Sequence, residues 1–361
     1  MSDEKLTLLK SKKHQAGVAI ITALLVVALG TITIVSIVSR QQYSMLQEQN
    51  EGALQQARAL AASGERFGAA VLFRDAEAGQ RDGTDSLDDD WATTIPPIPV
   101  DNATLQGCIV DMQGHFNLNN VIDGEGNAAP VYVEQLKRLL GQLSIEVAKA
   151  DAIVDWIDSD VNATIPEGAE DGYYTGLTPS YRAANGPMVS VSELQLVKGF
   201  SSQVPEEYED YKLLLPHISA LPVTDGPTPV NVNTATPEVI ASLSESLELL
   251  GGDLSRWDTG AYEDYPECED IFSLDVEEGP EAFGGDTRDL TPYASTLDFD
   301  SEADQGSGEE VAPPGSYDVR SRYFQVRIDV ISEAALISQY TLFERDTEGR
   351  TRVIYRSRDT L

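Results

Sequence analysis

The feature that most constrains this chain is a run without a charged residue near its start. Residues 18–39 read VAIITALLVVALGTITIVSIVS. At 1.5 Å per residue, such a helix would be roughly 33 Å long, which is enough to cross the hydrocarbon core of a bilayer. A cleaved secretory signal would need a shorter apolar region and a small-residue cleavage site, and SIVSRQQYSML offers no convincing one. The run therefore predicts a transmembrane helix.

The charges around the run predict its orientation. Four lysines precede it and only one arginine follows closely, at Lys5, Lys10, Lys12, Lys13 and Arg40. Basic residues favour the cytoplasmic side of a bilayer. Residues 1–17 are therefore expected in the cytoplasm, with the rest of the chain outside it.

The helical pattern continues beyond the apolar run. Apolar residues recur at spacings of three and four, which is typical of an amphipathic helix. They are Leu46, Ala53, Leu54, Ala57, Leu60, Ala61, Phe67, Val71 and Leu72. The two stretches predict one helix of about 60 residues, half in lipid and half packed on a domain. An anchor helix followed by a separate surface helix would give the same pattern.

Charge and cysteines limit the partners of the body. The formal net charge is −35, so the surface would repel nucleic-acid phosphates, whose binding needs basic contacts. A helix-hairpin-helix-like stretch, VNVNTATPEVIASL, also lacks flanking basic residues, so no nucleic acid is expected as a partner. Cys108 and Cys268 would form one disulfide in an oxidising compartment, or remain two buried thiols.

The body alternates strand-like and helix-like regions. Glycine-broken apolar alternation predicts a hairpin of Leu105–Asp111 and His115–Leu118. Helical spacing dominates residues 130–215, where Ser190 or Ser192 would cap a helix ending at Gly199. A later helix would be capped by Asn233 or Thr234 and end at Gly251–Gly252.

The last hundred residues differ from the middle of the chain in composition and in apolar pattern. Residues 258–318 are acidic and rich in Gly, Pro and Asp, which predicts a long solvated loop. Three β-rich runs follow at 323–332, 336–346 and 351–359, joined by short turns, and predict an antiparallel sheet. The fold class is therefore α+β, with an all-α insertion between the strands.

A group of oxygen ligands is a candidate calcium site. It comprises Asp158, Asp160, Asn162, Glu170 and Asp171. Alternate carboxylates and amides can wrap a calcium ion, but Ala163 and Ala169 stand where an EF-hand loop needs glycine and glutamate. Helix-end capping and turn hydrogen bonds would explain the same residues. Asp286 and Asp289 form a weaker candidate.

Nothing in the sequence favours an enzyme. The three histidines, His14, His115 and His217, lack the paired spacing of a metal site, and no G-x-S-x-G elbow is present. No catalytic residue is therefore assigned and no cofactor is required, with calcium as the one candidate.

The junction of the basic leader with the apolar run resembles type IV prepilins and pseudopilins. Gly17 precedes Val18 in KKHQAG–VAIITALLVV. Four mid-chain elements, together with SRYFQVRIDV near the C-terminus, make the resemblance specific to the minor pseudopilin K family of type II secretion systems. They are D-x-x-G-x-F-N-x-N from Asp111, D-W-I-D-x-D from Asp155, G-A-E-D-x-Y-Y from Gly168, and N-x-N-T-A from Asn231.

The resemblance implies a fold and a division of the chain. A prepilin peptidase would cut between Gly17 and Val18, removing residues 1–17. Residues 18–39 would be the transmembrane half and 40–78 the periplasmic half of a long helix packed on an antiparallel sheet. Residues 79–122 would begin the pilin-like domain, 123–290 would form the helical insertion, and 291–361 would supply an acidic loop and the last strands.

The resemblance also implies a role. The protein would lie in the bacterial inner membrane with its body in the periplasm. It would join pseudopilins I and J at the tip of the pseudopilus, above pseudopilin H and the major pseudopilin. There it would start assembly and support export of folded proteins. Partner helices would pack along Leu46, Leu54, Leu60 and Phe67. A minor pilin of a type IV pilus is the alternative.

One departure from the pilin pattern fits the tip. Pilin-type subunits usually carry Glu at the fifth mature position, where it can neutralise the amine of the subunit above. Here that position is Thr22. A subunit with nothing above it has no amine to neutralise, and a buried unpaired carboxylate would be costly. Simple loss of the residue would explain it as well.

Overall fold

In the computed structural model, one helix runs the length of the molecule and a sheet and a helical insertion complete the body. The structure describes residues 3–79, 83–92, 95–223, 226–257, 291–304, 311–332 and 336–358. Helix α1 spans Asp3–Gly79 without a break. It contains a stretch, Val18–Glu77, that includes a segment long and apolar enough to cross a membrane. The prediction of one continuous helix is therefore confirmed.

A five-stranded antiparallel sheet packs against the second half of α1. Its strands, in the spatial order β1-β2-β7-β8-β9, are β1 (Ile95–Val100), β2 (Ala103–Asp111), β7 (Tyr323–Ser332), β8 (Leu336–Arg345) and β9 (Thr351–Arg358). Pro96, Pro97 and Pro99 all lie in β1. Because proline cannot donate to a ladder, β1 suits only an edge, and that is its place. The three predicted C-terminal strands are confirmed.

The predicted hairpin between Leu105–Asp111 and His115–Leu118 is wrong. β2 pairs instead with β1 and β7. Beyond it, β3 (Phe116–Asn117) pairs in parallel with β4 (Ile218–Ser219) inside the insertion. The cause is a short 3-10 helix, Met112–Gly114, whose N-cap Asp111 accepts a hydrogen bond from the Gln113 amide. This turn carries the chain away from the sheet.

The insertion consists mainly of short helices. Those described are α2 (Pro130–Gln142), α3 (Lys149–Ile157), α4 (Asp171–Tyr174), α5 (Pro205–Leu214), α6 (Pro237–Ser242), α7 (Gly251–Leu254) and α8 (Thr296–Ala303). Further 3-10 turns are Asp90–Ala92, Leu118–Val121, Val191–Leu196, Leu215–His217 and Glu245–Leu247. A two-residue parallel pair, β5 (Val230–Asn231) with β6 (Tyr317–Asp318), closes the region.

Two helix-boundary predictions have different outcomes. Ser190, one of the two predicted caps, caps the 3-10 helix Val191–Leu196 through a capping box with Glu193. This helix ends at Leu196 and not at Gly199, where its end was predicted. Thr236, and not Asn233 or Thr234, is the cap residue of α6, and Gly251 begins α7 where a helix end was predicted. Asn233 is used elsewhere: its side chain exchanges two hydrogen bonds with the backbone of Tyr293.

Part of the segment expected as a solvated loop is packed. In the described portion of residues 258–318, Tyr293 and Phe299 are buried, and their rings meet edge to face at a centroid distance of 5.3 Å. Phe299 lies in α8 and belongs to the same core as the insertion helices. Acidic composition hid this helix, because its apolar residues are few and the charges lie on its outer face.

The sheet separates two cores. On one face, Phe324, Val326 and Ile328 of β7 meet Ala57 and Leu72 of α1. On the other face, Tyr323, Tyr340 and Leu342 belong to the larger core of the insertion. The molecule is therefore layered as α1, sheet and insertion.

Small residues let α1 approach the sheet closely. A Cβ atom on Gly64 or Gly68 would lie 2.9 Å from the side chains of Ile328 and Val326, respectively. Beside these glycines, Glu65 is buried and binds Arg356 through two oxygens at 2.6 and 2.7 Å. The guanidinium holds the pKa of the Glu65 carboxyl below its usual range. A second ion pair joins Asp75 of α1 to Arg345 of β8 at 3.0 Å. The helix is thus fixed to the sheet by packing and by charge pairs.

Candidate metal centre and assembly helix

Three of the five predicted calcium ligands come together in the insertion. Asp158 follows the C-terminus of α3, Glu170 precedes α4, and Asp160 lies in the loop between them. One carboxylate oxygen of each lies within 4.8 Å of the others. The two helix ends and their connecting loop therefore form one oxygen-lined site.

Three of the carboxylate oxygens in this site are buried without a hydrogen-bond donor in the described chain. Asp158 and Glu170 are each only 6% exposed. Within the described residues, Asp158 Oδ1 and both oxygens of Glu170 accept no hydrogen bond. Burial raises the pKa of Asp158 to about 6, and its acidic neighbours add to the effect. Burial and the charges of Asp155, Asp158 and Asp160 raise the pKa of Glu170 to about 7.

That arrangement is costly without a cation. A buried charge normally has an opposite charge or several hydrogen bonds. In the part of the chain that is described, no ion pair joins Lys or Arg to Asp158, Asp160 or Glu170. Clustered carboxylate oxygens are hard ligands of the kind that Ca²⁺ takes in proteins. The alternative of helix-end capping and turn hydrogen bonds accounts for part of this set. Asp160 Oδ1 accepts the Asn162 backbone amide at 2.6 Å in a turn, whereas Glu170, which precedes α4, makes no side-chain cap hydrogen bond.

The other two predicted ligands, Asn162 and Asp171, make hydrogen bonds within the protein. The Asn162 side-chain amide donates to Asp160 Oδ1 at 3.0 Å and is exposed. The Asp171 carboxylate accepts the Ala183 amide at 3.2 Å, and Arg182 lies 3.8 Å away. Asp171 thus stabilises the loop that follows α4.

Sequence reasoning missed Asn185. Its Nδ2 donates to the Asp160 carbonyl at 2.8 Å, so it is attached to the candidate site. Its Oδ1 is buried and accepts no hydrogen bond in the described chain. Asn185 adopts φ +47°, a left-handed conformation that Asn tolerates better than most residues. A side-chain carbonyl is also a usual calcium ligand, and Asn185 comes 25 positions after Asp160, beyond the reach of local pattern reading.

Gly168 allows the loop between Asp160 and Glu170 to pack tightly against Asp155. A Cβ atom there would lie 2.2 Å from Asp155 Oδ2 and 2.3 Å from the Thr164 carbonyl. Asp155 is fully buried and accepts the Thr164 amide, which closes the loop between the ligands. The D-W-I-D-x-D and G-A-E-D elements therefore build one loop around the carboxylates.

The remaining signature residues join the insertion to the sheet. Asp111, 3% exposed at the end of β2, accepts four hydrogen bonds. The donors are the Gln113 amide at 2.8 Å, Asn231 Nδ2 at 2.9 Å, Thr234 Oγ1 at 2.7 Å and Ser321 Oγ at 2.6 Å. Burial still raises the pKa of Asp111 to about 6. The D-x-x-G and N-x-N-T-A elements thus meet at one buried carboxylate.

The asparagines after Asp111 act in the same way. Asn117 and Asn119 side chains both donate to the Leu221 carbonyl, at 3.2 and 3.0 Å. Asn120 exchanges two hydrogen bonds with the backbone of Thr228. These residues therefore fix distant loops of the insertion to β3 and the turn after it.

The side chains of two of the three histidines are described. Burial lowers the pKa of His115 and of His217 to about 4, so both are neutral at pH 7. His217 Nδ1 lies 2.8 Å from Thr236 Oγ1. His14 lies in the stretch of α1 whose side chains are not described. Among described residues, the carboxylate groups that could hold a metal contain no histidine.

The predicted interface residues of α1 divide into two classes. Leu54 and Leu60 are half-buried against the protein's own sheet. Leu46 and Phe67 are 55% and 50% exposed. Apolar side chains from Val18 to Val38 are also exposed, as expected for a segment whose surroundings would be lipid or another helix.

The structure describes only one of the two cysteines of the predicted disulfide. Cys108 is buried in β2, on the insertion side of the sheet. Cys268, Asp286 and Asp289 lie outside the described residues, so the pairing and the second calcium candidate stay predictions.

Comparison with known proteins assigns the family. A family model described as type II secretion system (T2SS), protein K, matches residues 114–223. The type II secretion system protein K of Pseudomonas aeruginosa is 34% identical over 357 residues, covering 96% of this chain and 93% of that protein. The chain belongs to the protein K family. The Aeromonas hydrophila family member is also 34% identical, over 245 residues that cover 64% of this chain and 71% of the relative.

A solved structure shows the same fold. It is the crystal structure of the GspK-GspI-GspJ complex from enterotoxigenic Escherichia coli, matched with a TM-score of 0.64 and 20% identity over 87% of this chain and 100% of the matched chain. The matched chain and this one therefore share a fold over most of this chain. The α+β fold class predicted from the sequence is confirmed.

Proposed function

We propose that this protein K family member is the tip subunit of a type II secretion pseudopilus, where it starts assembly and supports export of folded periplasmic proteins. The carrying observation is the three-layer arrangement. The apolar side chains of α1 from Val18 to Val38 are exposed, whereas the insertion covers the face of the sheet opposite α1. A helix exposed in this way can pack among other subunits below, and the bulk of the insertion favours a place at the end of a stack.

Thr22 supports the top position. Its hydroxyl lies 3.1 and 3.0 Å from the carbonyls of Val18 and Ala19 within the same helix. Threonine in a membrane helix can satisfy its hydroxyl in this way without a partner. The fifth residue after the proposed cleavage site is thus neutral and internally satisfied. It needs no amine from a subunit above.

The proposal includes location and partners. The apolar half of α1 would hold the chain in the inner membrane as a single span, with the body in the periplasm, until assembly. By analogy with the solved GspK-GspI-GspJ complex, pseudopilins I and J would be direct partners, with H and the major pseudopilin below. A non-enzymatic role is part of the same proposal. The type IV minor pilin alternative loses support, since the matched relatives are secretion proteins.

The exposed part of α1 gives the test of assembly. Phe67→Glu should abolish co-purification with pseudopilins I and J, because a partner helix over Phe67 would bury an unpaired carboxylate. Leu46→Glu should weaken it similarly. Leu54 and Leu60 are unsuitable sites, since glutamate there would also disturb packing on the chain's own sheet.

Gln49→Glu is the matched control, since it adds the same charge at another exposed position of α1. It should leave co-purification intact. Thermal unfolding of each variant alone would show that the body still folds. If Phe67→Glu and Leu46→Glu bind I and J as well as the native chain does, this helix face is not the interface.

Calcium at Asp158, Asp160 and Glu170 is the second part of the proposal. A bound ion would neutralise carboxylates that otherwise have no cation, and it would fix the α3–α4 loop. Calcium at one hundred times its Kd should raise the free energy of unfolding by about 2.7 kcal/mol. Thermal unfolding of the metal-free and calcium-loaded protein measures this difference.

Substitutions at the ligands distinguish calcium binding at this site from a general effect of ionic strength on stability. Glu170→Gln and Asp158→Asn should remove the calcium-dependent stabilisation. Both should also stabilise the metal-free protein, because each deletes a buried, unpartnered charge. Glu125→Gln, at an exposed glutamate, should leave the calcium response unchanged. Equal stability of the native protein with calcium and with a chelator would refute the site.

A further inference from the structure

A buried glutamine interrupts the apolar contact between the sheet and the insertion. Gln325 lies in the middle of β7 and is 0% exposed. Its neighbours on the same face of the sheet include Tyr323 and Leu342, which belong to the insertion core. Within the described residues, neither Gln325 Oε1 nor Nε2 has a hydrogen-bond partner.

Gln325 lines a small cavity. The cavity has a volume of about 10 Å³ and lies where the sheet meets two loops of the insertion. Met112, Val191, Leu221 and Leu342 form apolar walls, and Ser190 and Tyr355 add side chains that carry hydroxyl groups. The space matches about one water molecule, and a buried water needs two to four polar partners.

The energetics favour a bound ligand over a dry amide. A buried donor or acceptor without a partner destabilises the fold, because it has lost its hydrogen bonds to water. An amide offers one acceptor oxygen and two donor hydrogens. An ion would meet the apolar walls without a charged group to balance it. A neutral molecule that both donates and accepts, and that fits the volume of one water, satisfies the geometry.

We propose that this cavity is a specific site for a single water molecule. The water bridges the Gln325 amide to the insertion loops, so the sheet and the insertion are joined at this point by solvent and not by a direct bond. The proposal is independent of calcium and of the tip position.

The direct test is a structure of the full chain, in its complex with pseudopilins I and J, at a resolution that shows ordered water. One water should lie within hydrogen-bond distance of Gln325. A dry cavity, or a Gln325 amide turned to a protein partner, would overturn the proposal.

A thermodynamic test uses the full chain in detergent. If water satisfies Gln325, Gln325→Met should leave the unfolding equilibrium constant within about tenfold of native, or make unfolding easier. If the amide is dry, removing its unpaired groups should make unfolding more than about tenfold harder, since 1.4 kcal/mol corresponds to a factor of ten. That second result would reject the water site. Gln203→Met, at an exposed glutamine, measures the effect of the exchange itself.

Discussion

A chain carrying Gly17→Val is expected to keep residues 1–17 and to lose all support of secretion. In the proposed maturation, a peptidase recognises the glycine before the apolar run, and a branched side chain there would obstruct the cleavage. The retained leader holds four lysines, which would keep the helix start in the cytoplasm. Such a helix could not leave the bilayer, so no pseudopilus would begin.

Two readouts check this result. The mass of the purified chain reports whether the leader remains, and the amount of folded cargo outside the cell reports secretion. Gly30→Val is the control, because it makes the same exchange in the same helix and a Cβ atom at Gly30 meets nothing within 4 Å. Normal secretion by a Gly17→Val chain that keeps its leader would contradict the processing role.

Asp111→Ala is expected to cost about 3 to 5 kcal/mol of unfolding free energy. The change leaves the Asn231 amide and the Thr234 and Ser321 hydroxyls without their shared acceptor at a buried site. Removing one member of a buried, charge-assisted network is among the most destabilising substitutions. The contact that joins sheet and insertion would open.

Denaturant unfolding measures the loss, with Asp88→Ala as the matched control. Asp88 is exposed, and its replacement should change stability by less than about 0.5 kcal/mol. Asp111→Asn should have an intermediate effect, since it keeps the shape and one oxygen but turns an amide donor toward other donors. A native-like unfolding midpoint for Asp111→Ala would show that the network carries little stability.

The long-period features were readable from the sequence. The uninterrupted apolar run and the stripe beyond Arg40 predicted α1, and alternation predicted β7, β8 and β9. These signals are local, because side-chain periodicity reflects which face an element buries. The same reasoning failed at His115–Leu118, where four residues resembled a returning strand. The Asp111 turn sends them elsewhere.

Part of the candidate calcium site could be predicted from the sequence. Asp158, Asp160 and Glu170 lie on one loop, so their spacing revealed them. Asn185 did not appear, since no short pattern links it to Asp160. The hydrogen-bond network around Asp111 could not be predicted either, because its partner Ser321 lies 210 positions away in the sequence. The resemblance to the family marked these motifs, but only the structure shows that they are hydrogen-bonding partners.

The strand order has a consequence for how the chain reaches its native state. β2 and β7 are neighbours in the sheet, yet the whole insertion separates them in sequence. Closing so large a loop is entropically costly and slows folding. The pairing of β2 with β7 must therefore wait until the C-terminal strands are available. During that interval the apolar face of α1 lacks the sheet strands that bury it in the native chain.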